Sequence, residues 1–130
     1  MTSRHVQYFL ALIFIGLGGW CLVMPHTVEA LVFRPAHQHL TPASAILMGC
    51  FGAQAVLVGT VIAAADFRPS TFMIFGLIAS LPFFVFNVYF YFVAQIFTDW
   101  MLLDVVGNVG ILACGVIGYR LKANELAEIN

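Results

Sequence analysis

The side chains of this sequence that could do chemistry fall into two groups. Asp104 and Asn108 stand four residues apart, as do Asn87 and Tyr91, a separation that puts both members of a pair on one face of a helix. A carboxylate, two amides and a phenol gathered this way offer donors and acceptors for a polar ligand or a relayed proton, and Gln54 adds a third amide. The second group is His26, Glu29, Arg34, His37 and His39, with Asp99. Imidazole and carboxylate are ligand types for zinc or copper, which makes His26, His37 and His39 the candidate metal ligands. His37 and His39 point the same way only in an extended backbone. In the competing reading the histidines sit at a lipid–water boundary and Val28 to Phe33 is a short amphipathic segment on the membrane surface.

Composition narrows what can hold these groups in place. Of 130 residues, 62% are hydrophobic and 8% charged, and the mean hydropathy is +1.01. Soluble domains carry about 25% charged residues, so a soluble globule is excluded. The 3 cysteines are an odd number, which argues against a disulfide-stapled module. With 5 basic against 6 acidic side chains there is no electrostatic footprint for nucleic acid. The chain therefore reads as an all-α integral membrane protein.

Four stretches carry the roughly 20 apolar residues needed to cross about 30 Å of hydrocarbon: residues 6–24, 43–65, 71–94 and 101–119. Pro25 closes the first. Thr41-Pro42 opens the second as N-cap and first-turn proline, and residues 66–70 join the second to the third. Residues 1–130 are expected to form a single four-helix transmembrane domain, a compact bundle with both ends on one side. Arg4, Arg68, Arg120 and Lys122 fall on that side and Arg34 on the other, so the positive-inside rule puts both ends in the cytoplasm. The first apolar run is longer than the roughly 7–15 residues of a signal-peptide core and no small-residue cleavage site follows it, so it is read as a retained helix. The default location is a bacterial inner membrane.

Inside lipid, small residues mark the faces where helices approach. The second span has the row Ala45, Gly49, Ala53 and the row Ala55, Gly59, Ala63; the fourth has Gly110, Cys114, Gly118, with Gly107 and Gly115 beside them; the first has Gly16, Gly18 and Gly19. The third is crowded with aromatic rings and carries Pro82 near its centre, where a kink is expected. Counting inward from the side opposite the two chain ends, Asn87 and Asn108 share a depth of about 10 Å. Tyr91 and Asp104 share a shallower one. This predicts a two-rung ladder, Tyr91 with Asp104 above Asn87 with Asn108, which Gln54 extends inward.

The sequence has no phosphate-binding loop, nucleophile elbow, zinc-protease motif or Cys-x-x-Cys. All four histidines fall outside the spans or at their ends, so no haem or other cofactor is expected. The first span, residues 6–24, also lacks the glutamate that small multidrug transporters of similar length carry there. The expected function is that of a small polytopic membrane protein without catalytic machinery. It would act as an accessory or structural subunit through helix contacts, with lipid, a second copy or another membrane protein as partners. The alternative is a small transporter or ligand-binding protein that uses Gln54, Asn87, Tyr91, Asp104 and Asn108.

Overall fold

The computed structural model describes residues 2–128. Among them it is helical apart from short connections and one isolated antiparallel bridge, Phe33 with Phe97. The helices are α1 (Ser3–Val23), α2 (Pro25–Val32), α3 (Pro42–Ala64), α4 (Pro69–Ile78), α5 (Leu81–Val88) and α6 (Leu102–Ala127). Four segments are long and apolar enough to cross a membrane: Ser3–Val23, Pro42–Ala64, Pro69–Val93 and Asp99–Ala127. The apolar stretches of the sequence fall within a few residues of these, except that the last helix continues past residue 119 to Ala127.

Local chemistry accounts for the helix ends. Thr41 caps α3: its Oγ1 accepts from the Ser44 N–H at 3.1 Å, the Ser44 Oγ accepts from the Thr41 N–H at 3.0 Å, and Pro42 fills the first turn. In the third span the expected kink is a full break. Pro82 has no N–H to give to Ile78, the Ser80 N–H turns back to the Leu77 carbonyl at 3.4 Å, and the Ser80 hydroxyl bonds the Gly76 carbonyl at 2.5 Å. Beyond α5 the chain widens into a π-helical turn, Tyr89–Val93, in which the Ala94 N–H reaches Tyr89 O at 2.9 Å.

Close approach without side chains between them holds the helices together, because lipid removes most of the hydrophobic drive. α1 lies between α3 and α6, and α6 packs in turn on α4 and α5. At the α1–α3 contact a Cβ on Gly18 would stand 2.6 Å from the Ala55 Cβ, and one on Gly59 would stand 2.9 Å from the Ala11 carbonyl oxygen. At the α4–α6 contact Gly76 and Gly115 face each other, a Cβ on either standing 2.8 Å from the other's Cα. Gly107 and Gly110 turn to Leu17 and Ile13 of α1. The apolar core, Val6, Leu10, Ala11, Ile62, Phe67, Phe72, Ile111 and Cys114, gathers toward the end where α1 begins and α6 finishes. The opposite half holds the candidate site.

Candidate functional site

α5 and α6 bring Asn87, Asp104 and Asn108 together. The Asn87 Nδ2 donates to Asp104 Oδ2 at 2.8 Å, and the Asn108 Nδ2, one turn along α6, donates to the same oxygen at 2.8 Å. Asn87 is 3% exposed and Asn108 4%, while Asp104 is half-buried. Asp104 stands in the first turn of α6, where the positive end of the helix favours a carboxylate. The Asn87 Oδ1 is buried and has no hydrogen-bond partner among the described residues.

This is one carboxylate held by two amides and not a two-rung ladder. Asn87 reaches the level of Asp104, and Tyr91 donates instead to Asp99 Oδ1 at 2.6 Å. The π-helical turn is the cause. It begins two residues after Asn87, and in the wider turn a step of four no longer returns to the same face. Gln54 stands apart from the cluster, exposed on α3, whose principal neighbours are α1 and α2.

His26, His37 and His39 are all exposed. Among the described residues no three His, Cys, Asp or Glu side chains form a group that could hold a metal ion. Glu29 is the organising group here. It is buried against the loop before α3, and its Oε1 accepts from the His39 N–H at 3.0 Å and the Leu40 N–H at 2.9 Å. Burial opposes its charge. The Ser44 hydroxyl, the Leu40 and His39 amides and nearby His26 favour it more strongly, so its pKa lies below the ordinary glutamate value. Arg34 and Thr98 then tie the two loops at this end together. The Arg34 N–H bonds Ile96 O at 2.9 Å, its Nε bonds Phe97 O at 2.9 Å, and the Thr98 N–H bonds Val32 O at 2.8 Å.

The sequence reading passed over a second polar cluster, at the end where the chain's two ends meet. The Arg4 Nη1 and Nη2 donate to Ala65 O at 2.7 Å and Ala63 O at 3.0 Å, and the buried Gln7 Nε2 donates to Ile62 O and to Ala65 O at 2.7 Å. These bonds satisfy carbonyls that the end of α3 leaves open. Ser3 gives its N–H and hydroxyl to the two Glu125 oxygens, each at 2.7 Å. The readable signal was the spacing of Ser3, Arg4 and Gln7 on one helical face ahead of an apolar run.

Length and composition make the chain a small membrane protein whose four apolar helices pack together. No protein-family model matches it, and neither a curated protein nor a solved structure is similar to it.

Proposed function

We propose that the protein is a non-catalytic accessory subunit, a compact four-helix bundle that works through the outward face of α3 against another membrane-embedded chain. The observation that carries this is the row Ala45, Gly49, Ala53. The row Gly110, Cys114, Gly118 of α6 and Gly59 of α3 are taken up in close contacts, yet a Cβ on Gly49 would meet nothing within 4 Å, as is also true of Gly16 and Gly19 on α1. Large apolar side chains flank the row, with Ile46, Leu47 and Phe51 all exposed. Small rows of this kind let a second helix approach closely in lipid. The charge pattern favours an orientation with both ends in the cytoplasm, since Arg4, Arg68, Arg120 and Lys122 flank the spans at one end. A bacterial inner membrane suits that orientation.

The protein supplies its own reporter for this face. Cys50 is exposed beside Gly49, whereas Cys21 and Cys114 are buried. Bifunctional thiol reagents applied to native membranes are expected to join Cys50 to one partner, a second copy or a different protein, and Gly49→Leu is expected to abolish the adduct while the fold survives. A protein that stays single with the reactive thiol at Cys50, and again with it moved by Ile46→Cys or Ala53→Cys, would overturn the reading.

The second reading, a ligand-binding or transport protein, is favoured by one observation, the unpartnered Asn87 Oδ1 within the Asn87–Asp104–Asn108 cluster. Tyr91 pairs elsewhere and Gln54 stands apart, so that reading rests on the three residues.

A further inference from the structure

We propose that Asn87, Asp104 and Asn108 bind a single alkali metal ion. The inference does not depend on the accessory role. Charge is its first ground. Among the described residues the one ion pair joins Lys122 to Asp66, 3.6 Å apart, so Asp104 has no cationic partner although it stands in an apolar span. Carboxylates in such places are neutralised by pairing or protonation. Two amide N–H groups and the start of α6 offset the charge without cancelling it. One carboxylate among neutral amides is matched by one positive charge, and a divalent ion would leave a net charge in the membrane.

Donor chemistry is the second ground. Two nine-tenths-buried amides converge on Asp104 Oδ2 from different helices, at 2.8 Å each. The Asn87 Oδ1 has no partner among the described residues. Rotation about the amide's terminal torsion, which is soft and two-fold, brings that oxygen to the place its nitrogen now holds. There it ligates a hard cation beside the carboxylate in the oxygen environment such ions require. The other titratable groups nearby are Cys21 on α1, within Coulombic range of Asp104, and the Tyr91–Asp99 pair with Arg34 close to it. None of them supplies the missing charge. Arg34 is turned to the Phe97 carbonyl.

The test uses the whole protein in lipid discs. Sodium and potassium chloride are titrated against choline chloride at constant ionic strength while thermal unfolding is followed. In parallel, infrared spectra are taken with and without sodium on protein with isotope-labelled aspartate carrying Asp66→Asn and Asp99→Asn, which leaves Asp104 as the one labelled carboxyl. A midpoint raised by several degrees with sodium or potassium and not with choline supports the alkali ion. A shift of the labelled carboxylate bands on adding sodium or potassium, and not choline, supports an ion seated at Asp104. Labelled carboxylate bands and an unfolding midpoint that do not respond to either alkali ion overturn the proposal, as does stabilisation by calcium alone. The salt titration needs no substitution, so a poorly folding variant cannot mask that result.

Discussion

Gly52 of α3 faces Gly18 of α1 so closely that a Cβ on Gly52 would stand 2.5 Å from the Gly18 carbonyl oxygen and 2.9 Å from the Cys21 carbonyl carbon. Both neighbours are backbone and cannot rotate away. Gly52→Ala is therefore expected to push α1 and α3 apart and to cost about 1–3 kcal/mol, the usual range for overpacking. Gly49→Ala, three residues earlier on the same helix, meets nothing within 4 Å and removes a residue of low helix propensity, so it should be neutral or slightly stabilising. Unfolding midpoints of the two variants in mixed detergent check the contrast. Equal losses would mean that the α1–α3 contact is not as close as described.

That contrast also marks how far the residue pattern reaches. The four apolar stretches and the Thr41-Pro42 cap were legible because hydropathy and capping are local properties. Which small residues of α3 meet α1 was not: Gly52 lies in neither of the rows read there, and it differs from Gly49 only in which way the helix is turned. Asp104 and Asn108 fall four apart on a regular helix, and their bond follows from that spacing. The partner of Tyr91 does not, because the π-helical turn at Tyr89–Val93 changes the helix period just where the count began. Glu29 reads in the sequence as a member of a histidine-rich loop, and its role appears only once Leu40, at φ 43°, is seen to need its N–H held.

The charge on Glu29 should make the loop before α3 sensitive to acid. Its pKa is lower in the folded protein than in the unfolded chain, because the gain from the Ser44 hydroxyl and the His39 and Leu40 amides outweighs the burial that opposes it. A lowered carboxylate pKa contributes stability that is fully present above the unfolded value and is lost as pH falls through the folded one. The His39 and Leu40 amides are expected to exchange slowly with deuterium at neutral pH and faster, relative to intrinsic rates, as the solution is brought below the ordinary glutamate range. Glu29→Gln should flatten that extra acid sensitivity, since it keeps one acceptor oxygen and cannot titrate. Protection that fails to fall with acid in the unaltered protein would mean that the carboxylate does not hold this loop.

Gln7 gives a sharper test of how the far end is held, because its side-chain nitrogen donates to the Ile62 and Ala65 carbonyls at the end of α3 while the residue itself is buried. Arg4 also reaches Ala65 O. Gln7→Leu therefore leaves Ile62 O as the carbonyl that loses its side-chain donor, a loss of about 1–3 kcal/mol for a buried acceptor left unpaired. Gln7→Glu keeps the shape and replaces the donating amide by an oxygen facing carbonyl oxygens. It should be worse than Gln7→Leu at neutral pH and recover part of the difference in acid, where the protonated carboxyl can donate again. Denaturation of both variants in mixed micelles at neutral and acidic pH reads this order. If the glutamate variant were the more stable of the two at neutral pH, the bond from Gln7 to the α3 carbonyls would not be what joins α1 to α3 at this end.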